Sequence, residues 1–208
     1  MSRGLLLVIS GPSGAGKGSV CDAYKIKHDN AWNSVSMTTR SPRNGEIEGI
    51  SYYFVTIPEF EKKIDNNEFL EYAKVYGNFY GTPRAGVEEK LAEGQDVILE
   101  IDIQGALNVQ ENTSEGIFVF ILPPSMNELK KRIIGRGSET PESLLTRFKS
   151  AYNEINYVSK YNYAITNNTI GQACDDLNCI VKAEKCRVTR VSNEILSLKE
   201  EDFNEFFD

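Results

Sequence analysis

Histidine is almost missing from this chain of 208 residues; His28 is the only one. A Ser-His-Asp or Cys-His nucleophile therefore has nothing to draw on, nor has an imidazole-built zinc centre. His28 itself falls near the end of the first helical segment, where a solvated role against the helix dipole is expected. Cysteine is sparse and scattered. Cys21, Cys174, Cys179 and Cys186 contain no CxxC pair, so metal-ribbon spacing is excluded and free thiols in a reducing compartment are expected. No apolar run approaches the ~20 residues of a membrane span. The Leu5–Ile9 run is also too short for the core of a secretion signal, which points to a cytoplasmic protein without a membrane partner. Basic excess is absent as well: a formal net charge of −7 argues against a broadly basic nucleic-acid-binding face. A small polyanion is still admissible, because a few local arginines can meet it. There is no internal repeat and no low-complexity linker.

What the chain does have is concentrated at its start. Gly4 to Ser19 reads GLLLVISGPSGAGKGS, a short apolar run followed by a loop of the pattern G-x-x-x-x-G-K on Gly11, Gly16 and Lys17. An unbroken apolar run ahead of such a loop predicts a buried parallel strand. Gly11, Gly14 and Gly16 allow the backbone to curl so that successive N–H groups, those of Pro12's successors Ser13 to Ser19, face one anion. The positive end of the following helix points to the same place. Lys17 then reaches the β- and γ-phosphates of a nucleotide. Gly18 stands where Ser or Thr normally follows the lysine, and Ser19 comes one later. Mg²⁺ is accordingly expected to be held through water, with Ser19, Glu100 and Asp102 as the candidate groups and their roles undivided.

Downstream, apolar strands alternate with helices. Helix is expected at Ser19–Lys27, Pro58–Asn66, Pro83–Glu93 and Ala106–Gln110. Further helices are expected from the capping box Ser125-x-x-Glu128, from Thr140-Pro141-Glu142, and from about Thr169. Strands are expected at Asn33–Thr39, Ser51–Ile57, Phe69–Val75, Asn78–Thr82, Asp96–Ile103, Ile117–Leu122 and Tyr163–Thr166. The fold class is α/β: a doubly wound parallel sheet, P-loop NTP-hydrolase-like, carrying a small inserted mixed β/α lobe and a helical lid. Core is assigned to 1–35, 83–124 and 160–190, the aromatic-rich lobe to 36–82, the lid and flanking helices to 125–159, and a tail of open role to 191–208. Ligands in such sheets sit beyond the carboxyl ends of the strands, where the loop, Glu100, Asp102 and Asn167 all fall.

Arginines supply the second signal. Arg40 and Arg43 flank a proline turn in the lobe; Arg132, Arg136 and Arg147 follow the third apolar strand. A guanidinium is a rigid fork of donors that matches phosphate oxygens. Two arginine groups and a phosphate loop suggest two phosphorylated ligands brought together.

With these residues in view, the chain resembles the guanylate kinases. The shared motifs are SGPSGAGKGS (10–19), SMTTRSPR (36–43), SYYF (51–54), NNEFLEYA (66–73), GNFYGTP (77–83), ILEIDIQGA (98–106), PPS (123–125), LKKRIIGRG (129–137) and Arg147. They follow the family's order from Leu5 to about Lys185. The resemblance implies transfer of the ATP γ-phosphoryl to GMP, and to dGMP, with Mg²⁺. It implies that Lys17 and the loop residues Gly11, Pro12, Ser13, Gly14, Ala15, Gly16, Gly18 and Ser19 surround the ATP phosphates. Arg40, Arg43, Tyr52 and Tyr80 would hold the GMP phosphate, with Tyr53 pointing away by strand alternation. Ser36, Glu71, Thr82 and Asp102 would face guanine. Arg132, Arg136 and Arg147 would enter from the lid, with Gly135 and Gly137 as hinges. Lys17, Arg40 and the three lid arginines would be catalytic. A guanylate-kinase-like protein-binding module without catalysis is the alternative, disfavoured because the loop and the lid arginines are all in place.

Overall fold

Alternate residues of a strand point to opposite sides, and in Leu5–Ile9 both sets are apolar, which demands cover on two faces. The computed structural model provides it. It describes residues 3–75, 77–134 and 141–191, with backbone alone at 141–144, 146 and 147. The chain runs β1 Leu6–Ser10, α1 Lys17–Lys27, β2 Ala31–Asn33, β3 Met37–Thr38, β4 Tyr53–Phe54, α2 Ile57–Asp65, β5 Phe69–Val75, β6 Asn78–Pro83 and α3 Arg84–Ala92. It continues β7 Asp96–Glu100, α4 Ile103–Asn112, β8 Gly116–Leu122, α5 Met126–Ile134, α6 Pro141–Ile155, a 3-10 turn Asn156–Lys160, β9 Tyr163–Thr166 and α7 Ile170–Lys185. One parallel sheet has the order β2-β7-β1-β8-β9. Leu5, Leu7 and Ile9 pack on one face with Val20 and Tyr24 of α1 and Leu177 of α7. Leu6 and Val8 pack on the other with Val87 and Leu91 of α3 and Val109 of α4. The sheet is thus doubly wound, and a second sheet has the order β4-β3-β6-β5.

Three strands differ from expectation by more than one residue, each for a local reason. The β-prone stretch at 33–39 is two strands. Ala31–Asn33 pairs with β7 at the edge of the large sheet, and Met37–Thr38 joins the small one after the chain crosses over. The strand expected over 51–57 shrinks to Tyr53–Phe54 because Thr56 caps α2. Its hydroxyl accepts the Glu59 N–H at 3.4 Å, while Glu59 Oε2 accepts the Thr56 N–H at 2.8 Å. This reciprocal box satisfies two helix-terminal donors and outweighs the β-propensity of the preceding aromatics. Thr56→Ala is expected to cost about 1 kcal/mol, read as a lower urea midpoint at unchanged m-value. Likewise the strand expected to run to Ile103 stops at Glu100. Asp102 turns the chain by accepting the Gly105 N–H at 2.8 Å and so opens α4.

In the small lobe, Phe60 of α2 is fully buried and stacks on Phe69 at 4.4 Å and Phe79 at 5.2 Å, giving the lobe its own apolar centre. A register shift between Phe69 and Glu71 on β5 lets three successive residues be buried. Leu70 enters the core cluster of the large sheet, and Glu71 turns toward Thr82. Bulges of this kind re-aim side chains beside sites. Asn108 of α4 donates to the Tyr72 carbonyl at 2.8 Å and fastens the lobe to the core. Gly135, Arg136, Gly137 and the tail from residue 192 lie outside the described residues.

Candidate functional site

β1 passes into α1 through a loop with positive φ at Gly11, Gly14 and Gly16. At Gly16 the requirement is double. Its φ is +92°, and a Cβ there would stand 2.4 Å from Asn167 Nδ2. That amide donates to the Ala15 carbonyl at 2.8 Å and seals the loop against the end of β9. Lys17 opens α1 and folds its ammonium under the loop, donating to the Gly11 carbonyl at 2.7 Å. Burial pushes the ammonium pKa down, opposed by the negative charge of Glu100.

Two further elements converge on the loop. Arg132 of α5 donates from Nη1 to the Ala15 carbonyl at 3.4 Å and from Nη2 to the Asn167 carbonyl at 3.3 Å. Its Nε is held by Glu128 Oε1 at 3.2 Å. Expected as half of a capping box, Glu128 does present its N–H to Ser125 Oγ at 3.1 Å, and its carboxylate meets Arg132. From α6, Glu154 Oε2 accepts the Ser13 N–H at 3.2 Å. Sequence reading missed Glu154, because its partner lies far away in the chain and nothing local marks it.

Glu100, at the end of β7, explains the departure at position 18. A Cβ on Gly18 would stand 3.2 Å from Glu100 Oε2 and 3.4 Å from Oε1. The carboxylate lies where a Ser or Thr side chain would project. A hard oxygen donor beside the phosphate loop suits a hard cation such as Mg²⁺. No group of three His, Cys, Asp or Glu side chains is placed to hold a metal among the described residues. The donor set therefore fits an ion that keeps most of its waters, not an all-protein cage.

In the lobe, Arg40 is the best-held side chain of the set. Its Nη1 and Nη2 donate to Glu46 Oε2 and Oε1 at 2.7 and 2.6 Å. Its guanidinium carbon lies 5.0 Å from the centre of the Tyr52 ring, which meets Tyr80 edge-on at 6.0 Å. Glu46 foremost, then the Tyr80 hydroxyl, hold the Arg40 proton more tightly than usual. The same pairing draws the Glu46 carboxyl down to about 2. Arg43 is exposed and offers Glu46 its backbone N–H. Tyr53 is the exposed member of the Tyr52–Tyr53 pair, as alternation requires.

Where lobe and core meet, Glu71 is buried at 6% exposure and Thr82 is wholly buried. The Thr82 hydroxyl donates to Glu71 Oε1 at 2.7 Å. The other oxygen faces Gly105, 2.8 Å from where a Cβ would stand, and Asp102 Oδ1 is bound to that same glycine's N–H. Burial pushes the Glu71 carboxyl up to about 7, and the charge of Asp102 adds to the rise. Met37 pairs with Gly81 in the antiparallel β3–β6 ladder, so Ser36 is next in register to Thr82. The structure thus brings together Ser36, Glu71, Thr82 and Asp102. Arg40, Tyr52 and Tyr80 form a second group, and the loop, Glu100 and Arg132 a third. Arg136 and the side chain of Arg147 lie outside the described residues.

This arrangement has known counterparts. The family model described as guanylate kinase matches residues 3–184. The guanylate kinase of Clostridium acetobutylicum is 63% identical over 205 residues, covering 99% of this chain and 98% of that protein. The guanylate kinase of Clostridium tetani is 64% identical over 200 residues, 96% of each chain. A crystal structure of guanylate kinase from Anaplasma phagocytophilum superposes with a TM-score of 0.77 at 37% identity, covering 91% of this chain and 90% of that one.

Proposed function

Since the chain belongs to the guanylate kinase family and is an ATP:GMP phosphotransferase, we propose that its two sheets hold the two nucleotides tail to tail. The observation that carries this is the buried Glu71 carboxylate, oriented by Thr82 beside Asp102. Guanine presents N1–H and N2–H side by side, and one carboxylate accepts both. Adenine presents an acceptor at N1 and would leave Glu71 buried against a lone pair. A site built to hydrogen-bond one base rejects the mismatched one by a factor on the order of 10⁴. Ser36 and Asp102 complete the guanine edge. dGMP, which presents the same base and phosphate, is accepted as well.

Arg40, Arg43, Tyr52 and Tyr80 hold the GMP phosphate, and the loop at 11–19 with Lys17 holds the phosphates of ATP. Division into a core (1–35, 83–124, 160–190), a GMP lobe (36–82) and a lid (125–159) follows from this placement. The attacking group is a phosphate oxygen, anionic at neutral pH because its second pKa is about 6. No general base is needed, which agrees with a single histidine. The protein's task is to align the two phosphates and to neutralise charge on the equatorial oxygens with Lys17, Arg40, Arg132, Arg136 and Arg147. Arg132, already pinned to the Ala15 carbonyl, stands against this loop. A lid that completes the arginine set only over both nucleotides would keep water from ATP.

Mg²⁺ bound with ATP supplies neutralising charge at the phosphates. Glu100, in the space left by Gly18, would hold it through water, with Ser19 and Asp102 alongside. Glu100→Gln is expected to weaken Mn²⁺ binding to the ATP complex about tenfold by electron paramagnetic resonance, with metal-free ATP binding unchanged. The cytoplasm is the matching compartment, with four free thiols and, among the described residues, no helix long and apolar enough to cross a membrane.

The deciding experiment is a coupled assay of ADP release with ATP, Mg²⁺ and GMP, dGMP, AMP, CMP and UMP in turn. Turnover with GMP and dGMP alone is expected. Comparable turnover with AMP would refute the guanine assignment.

A further inference from the structure

We propose that Glu46 is a positioning residue for the phosphate of GMP: it presets the Arg40 guanidinium so that one edge of donors is aimed at the incoming phosphate. The inference rests on the assignment of Arg40, Tyr52 and Tyr80 to that phosphate.

The donor arithmetic is specific. A guanidinium has five N–H donors in a fixed plane. Glu46 takes one from Nη1 at 2.7 Å and one from Nη2 at 2.6 Å, and the Ser41 carbonyl takes the second of Nη1 at 2.9 Å. The Nε–H and the outer Nη2–H are used by neither, and the Tyr80 hydroxyl, itself assigned to the phosphate, also meets the guanidinium. They lie parallel on one edge, the spacing that a phosphate's two oxygens match. The Tyr52 and Phe54 rings lie at 5.0 and 5.8 Å from the guanidinium carbon and fix its plane. The arginine side chain is 11% exposed and Glu46 20%, so the pair is largely withdrawn from water. Ordering a long side chain is part of what binding normally costs; here it is met before the ligand arrives.

Glu46 also sets the backbone around the second arginine. Its Oε2 accepts the Arg43 N–H at 2.7 Å, while its own N–H donates to the Arg43 carbonyl at 3.1 Å. Gly45, third in this four-residue turn, sits at φ +85°, which a type II turn requires and a side chain would resist. One carboxylate thereby fixes the side chain of Arg40 and the main chain of Arg43.

The test compares GMP with guanosine, which presents the same base and no phosphate, by calorimetry on the full chain. Glu46→Gln is expected to weaken GMP about tenfold or more, the worth of one charge-assisted pair, and to leave guanosine unchanged. Glu46→Asp recovers part of the loss. Glu59→Ala, which disturbs the lobe at the α2 cap away from Arg40, is expected to shift both ligands equally or neither. Unchanged or tighter GMP binding by Glu46→Gln would overturn the proposal, the second result marking the carboxylate as the phosphate's competitor. Equal weakening of GMP and guanosine would overturn it in favour of a purely structural role. Arg40→Ala separates the two levels. If it too fails to distinguish GMP from guanosine, the phosphate assignment falls; if it does and Glu46→Gln does not, only the present proposal falls.

Discussion

Replacing Lys17 by methionine is expected to lower kcat by on the order of 10³-fold while the protein stays folded. The ammonium is the single cation built into the loop proposed to receive the ATP phosphates, held by the Gly11 carbonyl at 2.7 Å. Its charge is most needed where the transferring group carries most negative charge, so the loss falls on kcat more than on binding. Stability should move the other way. Burial already disfavours the charged form of Lys17, and a methionine of similar length removes that desolvation cost. A melting temperature equal to or above wild type, together with the loss in single-turnover rate, is the expected pair of results. Near-normal turnover would refute the loop assignment.

Glu71→Ala is expected to raise the KM for GMP by about 10²-fold or more and that for ATP hardly at all, since two charge-assisted hydrogen bonds to guanine are lost together. The pH dependence follows from the same carboxylate. Guanine's two donors need it ionised, and burial has raised its pKa to about 7. Guanosine affinity, free of any phosphate titration, should therefore fall about tenfold from pH 8 to pH 6 in wild type and stay flat in Glu71→Gln. Stability has the opposite sign. With the folded pKa above the unfolded one, Glu71's contribution is fullest below about 4.5 and is lost as pH rises through about 7. The difference of roughly 2.5 pKa units corresponds to about 3 kcal/mol. Glu71→Gln should accordingly be more stable than wild type at pH 8 by up to that amount, with the gap closing toward pH 4.5. The base-reading site is thus held against the fold's own preference. Equal effects on GMP and ATP, or a pH-independent guanosine affinity in wild type, would contradict this reading.

How far all this could be read in the chain depended on range. The LLVIS, DVILE and IFVFIL runs announce buried strands, because burial on both faces leaves a continuous apolar signature. Ala31–Asn33 does not, since a three-residue edge strand owes its state to pairing with β7 and not to its own pattern. Thr56 is hidden as a helix cap, because aromatic β-propensity at 51–54 masks the T-x-x-E spacing. In the site, residues embedded in dense motifs could be named from the chain, and the geometry groups Glu71 with Thr82 and Arg40 with Tyr52. Glu46 and Glu154 could not be named. Glu46 meets Arg40 across a glycine turn, and Glu154 reaches Ser13 of the loop from a helix far along the chain. Glu100 was named as a candidate, but its relation to Gly18 is one of volume, which sequence does not display.

The central claim is that one cleft receives two nucleotides whose phosphates meet between the loop at 11–19 and the lobe at 36–82. Adenosine and guanosine joined through five phosphates test it most directly by calorimetry and competition. The account predicts one molecule bound per chain, competition with both ATP and GMP, and weakened binding in both Lys17→Met and Glu71→Ala. Competition with only one nucleotide, or loss in only one of the two variants, would contradict it.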